Sequence, residues 1–190
     1  MQKHPMLNPA NQLTLCRILF IPLLVAVYYS PFSWRFLASG LLFTLAGITD
    51  ALDGYIARKY NLTTPFGAFL DPVADKLMVA VALAILIESH NDVLFTLPAV
   101  VIICREIVIS ALREWMAELG KRANVAVSSL GKFKTTLQIV AIVMLLAFSR
   151  EEFPRLYEIG YVALYAAAIL TIWSMCIYLK AAWPSLMGRE

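Results

Sequence analysis

The sequence predicts an all-α integral membrane protein with six transmembrane helices, both termini cytoplasmic and a short interfacial helix ahead of the first span. Three observations predict it. The 190 residues are 61% hydrophobic and 15% charged, with a mean hydropathy of +0.73, against roughly 45–50% and 25% in soluble domains. The apolar residues are gathered into long runs, each near the ~20 residues that cross a hydrocarbon layer. Finally, the basic residues divide unevenly between the connections.

The runs are Leu13–Tyr29, Phe36–Ala57, Phe69–Ile87, Phe95–Trp115, Phe133–Phe148 and Ile159–Leu179. Each must be a helix, because a lipid-exposed backbone is satisfied only within its own segment. The breaks carry turn and polar chemistry: Ser30-Pro31, Asn61 to Pro65, Glu88 to Asp92, Gly120 to Asn124 and Arg150 to Glu152. Asn8 to Arg17 reads as a short interfacial helix leading into the first span. No small-residue cleavage site follows the first run, so that span is expected to be retained. With no repeat and no soluble appendage, residues 1–190 read as one membrane domain. Cys16, Cys104 and Cys176 stand singly within apolar runs and are expected to be small buried hydrophobes.

Six spans put both termini on one side. That side collects Lys3, Arg17, Arg58, Lys59, Arg113, Lys121, Arg122, Lys132, Lys134, Lys180 and Arg189, while the other holds Arg35, Arg150 and Arg155. Excess Lys and Arg mark the cytoplasmic face, here the inner face of a plasma membrane. Trp34, Trp115, Trp173 and Trp183 mostly fall near run ends, as interfacial aromatics do.

Four acids break the membrane pattern. Asp50, Asp53, Asp71 and Asp75 lie within or at the ends of the second and third runs. A central Asp costs about 2.5–3.5 kcal/mol on insertion scales, and clustered carboxylates also repel one another. Hard oxygen donors of this kind suit Mg²⁺ or Mn²⁺. Asp50 and Asp53 are i,i+3 and Asp71 and Asp75 i,i+4, so each pair shares a helix face, with Arg58 near the first. The turn after the second run is expected to make the two helices antiparallel neighbours whose acids meet at the cytoplasmic end. Gly54, Ala57 and Gly67 leave little bulk there. A plainer account of Asp71 is that, standing before Pro72, it caps a helix N-terminus.

The string Asp50-x2-Asp53-Gly54-x2-Ala57-Arg58-x8-Gly67-x3-Asp71-x3-Asp75 fixes eight residues over 26 positions. It resembles the signature of the CDP-alcohol phosphotransferase family at every defining position, and the six-span layout extends the likeness over essentially the whole chain. The resemblance implies transfer of a phosphatidyl group from CDP-diacylglycerol to an alcohol, with CMP released, in phospholipid biosynthesis. It implies that Asp50, Asp53, Asp71 and Asp75 hold two divalent ions, that Asp75 is the general base, and that Gly54, Ala57, Arg58 and Gly67 surround the CDP moiety. Three outer stretches, Asn11-x2-Thr14-x2-Arg17, Arg105-Glu106-Ile107 with Arg113, and Gly131-Lys132-x-Lys134-Thr135, are similar to the bacterial branch whose acceptor is sn-glycerol 3-phosphate. On that likeness Asn11 lies on the cytidine side, with Thr14 and Arg17 on the same covering helix. The family also implies a homodimer among membrane lipids.

Chemistry agrees with these roles. Diphosphate cleavage needs negative charge neutralised, which paired metals supply, and positioning with electrostatics accounts for most of phosphoryl-transfer catalysis. An anionic acceptor needs cations, and the candidates are Arg105, Arg113, Lys132 and Lys134. Arg105 stands inside an apolar run, where a charge is usually functional. Glu106 points about 100° away round the helix, so the two are not expected simply to cancel. Lys121 and Arg122 read as a loop attracted to anionic lipid, and His4 and His90 are assigned no role. An inositol phosphate would present similar charge. An intramembrane prenyltransferase would carry denser Asp clusters, and a cation transporter would show repeats and midplane acids; neither matches.

Overall fold

Proline and short polar side chains set the helix limits. The computed structural model describes residues 9–60, 64–120 and 129–187, the side chains of residues 9–11, 56–58 and 129–132 excepted. Among the described residues there are six helices: α1 (Pro9–Tyr28), α2 (Arg35–Lys59), α3 (Pro65–His90), α4 (Val93–Glu118), α5 (Ser129–Ala147) and α6 (Pro154–Leu186). The connections at 61–63 and 121–128, with Lys121 and Arg122, lie outside the described residues.

The helices overrun the apolar runs at their polar ends. α3 begins at Pro65 because Thr64 is extended and its Oγ1 accepts from the Gly67 N–H at 3.0 Å. It ends at Asn91, whose left-handed φ of 45° closes the last turn. One residue later Asp92 caps α4, its Oδ1 accepting from Leu94 N at 3.1 Å. At this end His90 stacks on Phe95 at 4.0 Å with Nδ1 2.6 Å from the Leu86 carbonyl, and burial lowers its pKa.

α2, α4 and α6 contain stretches long and apolar enough to cross a membrane, and α1 and α5 contain shorter apolar ones. α3 carries Asp71, Asp75, Lys76 and Glu88 along its length and is not among the spans of that kind. Each helix sends a side chain into a common core: Leu24, Phe43, Leu83, Ile102, Ile142 and Leu164 in chain order. The outward faces are apolar too. Along α2 the stripe Leu37, Leu41, Leu45, Ile48 and Leu52 is exposed, which suits lipid and would be a liability in water.

Small residues let the backbones approach. A Cβ added at Gly40 of α2 would stand 2.5 Å from the Ala147 Cβ of α5, and one at Gly160 of α6 would stand 3.0 Å from the Met144 Cβ of α5. Membrane helices depend on such contacts because lipid offers them no hydrophobic drive to associate.

Three expectations need correction. The interfacial helix and the first span are one helix, α1, running from Pro9 through Pro22 to Tyr28; no residue between those prolines breaks it. α2 and α3 are neighbours only in part: they touch, but α1 packs more extensively on each of them than they do on one another. The three cysteines are exposed rather than buried, because the outward face of a membrane bundle accepts apolar side chains as readily as the core does.

Candidate functional site

The packing of α1 on both α2 and α3 builds the site, since it lets α1 place two polar side chains among the acids. Thr14 and Arg17, one turn apart, are each 1% exposed. Thr14 Oγ1 donates to Asp71 Oδ1 at 2.5 Å and lies 3.5 Å from Asp53 Oδ2. The Arg17 guanidinium spans the cluster: Nη2 reaches Asp53 Oδ2 at 2.5 Å, Nη1 reaches Asp50 Oδ1 at 3.0 Å, and Nη1 also bonds Asp75 Oδ1. Asp53 is buried, while the carboxylates of Asp50 and Asp75 are each 45% exposed. The two acid pairs therefore meet, as their spacing predicts, although through a third helix rather than directly.

Asp71 is not a cap. It lies in the second turn of α3, whose cap is Thr64, so its carboxylate is free for the cluster. Gly67, buried in the first turn of α3, gives its N–H to that cap. Gly54 follows Asp53 on α2. The side chains of Asn11, Ala57, Arg58 and Lys132 lie outside those described.

Four carboxylates from two helices are a hard donor set fit for a divalent cation. Among the described residues no three acidic, His or Cys side chains stand in a cation-ligating arrangement, and the Arg17 guanidinium supplies positive charge to Asp50, Asp53 and Asp75. The donor set fits the group.

Beside the acids opens a cavity of about 380 Å³ whose lining includes Arg17, Asp50 and Asp75 together with Arg105, Arg113 and Lys134. Three of the four cations expected at an acceptor site are thus brought to the cavity that the acids line. Lys134 is 1% exposed. Its Nζ bonds Glu106 Oε1 at 2.9 Å, and Arg105 Nη1 bonds the same oxygen at 3.0 Å. This corrects the expectation for Glu106. Adjacent helical residues diverge, but the long Arg105 side chain reaches round, and Glu106 is shared by two cations. One carboxylate against two cations leaves net positive charge.

α6 completes the wall. Arg105 Nη2 donates to Ser174 Oγ at 3.2 Å, Arg113 Nη2 donates to the Tyr178 hydroxyl at 3.3 Å, and the Tyr178 ring lies 5.8 Å and 5.2 Å from the two guanidinium carbons. The Nε groups of Arg17, Arg105 and Arg113 are buried with no protein acceptor, so donors remain for an anion. Lys76, bonded to Ser110 Oγ across to α4, also lines the cavity.

Sequence reasoning did not foresee what Thr14 and Arg17 do, placing them on a nucleotide cover rather than among the acids. The available signal was Arg17 itself, a charge inside an apolar run. Glu106, Ser174, Tyr178, Lys76 and Gln138 were not singled out as lining residues.

Known proteins resemble this chain over nearly its whole length. Residues 7–173 match the family described as CDP-alcohol phosphatidyltransferase. A protein of Pseudomonas fluorescens is 50% identical over 187 residues, covering 97% of this chain and 95% of the relative. One of Pectobacterium atrosepticum is 54% identical over 181 residues, covering 95% and 97%. One of Sodalis glossinidius is 53% identical over 176 residues, covering 93% and 95%. All three carry the name CDP-diacylglycerol–glycerol-3-phosphate 3-phosphatidyltransferase.

Proposed function

The chain belongs to the CDP-alcohol phosphatidyltransferase family, and we propose that it transfers the phosphatidyl group of CDP-diacylglycerol to sn-glycerol 3-phosphate, giving phosphatidylglycerophosphate and CMP at the cytoplasmic face of a bacterial inner membrane. The observation that carries this reading is that Asp50 and Asp75 line one cavity together with Arg105, Arg113 and Lys134. It holds the two kinds of charge the reaction needs: carboxylates for the metal-bound diphosphate and cations for the anionic acceptor.

The acceptor hydroxyl oxygen attacks the phosphatidyl phosphorus, the bond from that phosphorus to the bridging oxygen breaks, and CMP leaves with the bonding pair. Asp75, on the cavity wall, takes the hydroxyl proton. Asp50, Asp53, Asp71 and Asp75 would hold Mg²⁺ or Mn²⁺, which would supply neutralisation of the diphosphate charge. Arg105, Arg113 and Lys134 bind the acceptor phosphate, with Lys132 from the same stretch of α5 as a further candidate. Arginine suits the task because its fork donates two parallel bonds to phosphate. Asn11, Gly54, Ala57, Arg58 and Gly67 are assigned to the CDP side on the family likeness.

The test is CMP release by detergent-purified protein given CDP-diacylglycerol, with Mg²⁺, Mn²⁺ or EDTA and one of glycerol 3-phosphate, inositol 1-phosphate, serine or choline. Release with glycerol 3-phosphate alone, abolished by EDTA, is the expected result. Release with another alcohol overturns the acceptor assignment and spares the acid site. No release with any of them overturns the reading.

A further inference from the structure

Gln138 is a buried amide that the reaction as described does not use. It lies one turn beyond Lys134 on α5, is 3% exposed, and lines the cavity shared by the acids and the cations. Its Oε1 is buried and accepts from no protein donor. A buried carbonyl oxygen left unmatched is costly and calls for an explanation. In a site with a ligand, the ready explanation is a donor on the ligand.

The other polar groups of this wall point to the same ligand. Arg105, Arg113 and Lys134 donate only, and two of them hold buried Nε groups in reserve. The one carboxylate on their side, Glu106, has its Oε1 occupied by Arg105 and Lys134. A ligand that places a phosphate on the cations and a hydroxyl one helical turn away matches both the spare donors and the spare acceptor. One turn of helix is about 5.4 Å, comparable to the extended reach from the phosphorus to the secondary hydroxyl oxygen of a three-carbon alcohol phosphate.

We infer that Gln138 is a specificity-determining residue that accepts a hydrogen bond from the secondary hydroxyl of a polyol phosphate acceptor. The inference rests on the acceptor reading above and deepens it, separating a vicinal diol phosphate from a plain alcohol phosphate. The reacting primary hydroxyl and the phosphate are common to both kinds of molecule, so the cations and Asp75 do not distinguish them. A site built to hydrogen-bond a hydroxyl rejects the analogue lacking it, because its own polar group is then left buried and unpaired.

The test compares kcat/KM for sn-glycerol 3-phosphate and for propane-1,3-diol monophosphate, which lacks only the secondary hydroxyl, in the full-length protein. Wild type is expected to prefer glycerol 3-phosphate by about 10- to 100-fold, the range set by leaving a buried polar group unpaired. Gln138→Met, unbranched and close in volume, is expected to bring that ratio within about threefold of unity, chiefly through KM for glycerol 3-phosphate. Gln138→Leu is read the same way should the Met variant not fold. A ratio that stays at its wild-type value in the folded variants, even with both activities lowered, overturns the inference and makes Gln138 merely structural. So does a wild type that releases CMP equally with both acceptors. A wild type that releases no CMP with either overturns the acceptor reading itself, and the inference falls with it.

Discussion

Arg17 sets the character of the acid site. A guanidinium that is 1% exposed touches carboxylates from two other helices. Removing one partner of a buried charge network leaves the rest uncompensated, at about 3–5 kcal/mol. Arg17→Met should therefore lower the unfolding temperature sharply in EDTA. With Mn²⁺ the loss should be much smaller, because the ion takes over neutralisation of Asp50, Asp53 and Asp75. Thermal unfolding in detergent with and without Mn²⁺ measures this, and equal losses would show that Arg17 does not stand in for the ion. Asp75→Asn should cut CMP release at least about 10²-fold while the protein stays folded by circular dichroism; near-normal turnover would remove Asp75 from the chemistry. The pairing within Asp50/Asp53 and Asp71/Asp75 was legible because helix periodicity alone puts each pair on one face. The partners of Arg17 were not legible, since they lie on other helices and no local pattern says which helix packs on both α2 and α3.

Between elements, the decisive contacts are backbone approaches rather than interlocking side chains. Gly40 and Gly47 share one helix and differ in what a methyl group would meet. At Gly40 it would strike the Ala147 Cβ at 2.5 Å and its backbone at 3.1 Å, whereas at Gly47 nothing lies within 4 Å. Gly40→Ala should therefore push α2 from α5 and destabilise by about 1–3 kcal/mol. Gly47→Ala should stabilise slightly, by up to about 1 kcal/mol, by limiting the unfolded chain. Denaturant unfolding of the two single variants separates these, and the same sign for both would refute the packing account. Helix existence was legible from run length, and helix ends less so. Thr64-Pro65 and Asp71-Pro72 both carry a start signal, and only the placement of Thr64 Oγ1 on Gly67 N tells which one begins α3. The close approaches at Gly40 and Gly160 were not legible, because the partner of each lies on another helix and leaves no local mark in the chain.

On the scale of the whole molecule, the site has one end. Arg17, Asp75 and Lys134 lie in the first halves of α1, α3 and α5, and Asp50, Arg113 and Tyr178 in the second halves of α2, α4 and α6, yet all line one cavity. An up-and-down bundle gathers such positions at the end where its chain begins and finishes. CDP-diacylglycerol and a soluble phosphate acceptor can share that end only if it faces the compartment holding the acceptor. Among the described residues Arg17, Lys59, Arg113, Lys134 and Lys180 stand toward that end and Arg35, Arg150 and Arg155 toward the other, so the positive-inside rule predicts that it faces the cytoplasm. The prediction is read with single cysteines in a background where Cys16, Cys104 and Cys176, all exposed, are replaced by serine. Ser33→Cys, between α1 and α2, should react with a membrane-impermeant maleimide in intact spheroplasts. Glu118→Cys, at the end of α4, should react only after permeabilisation. Both positions are exposed, so access through the membrane decides the outcome. The reversed pattern would place the cavity outside the cell, away from CTP-derived lipid precursors, and would overturn the orientation while leaving the bundle intact. Labelling of both without permeabilisation would mean that the two connections share a side, and would refute the alternating arrangement itself.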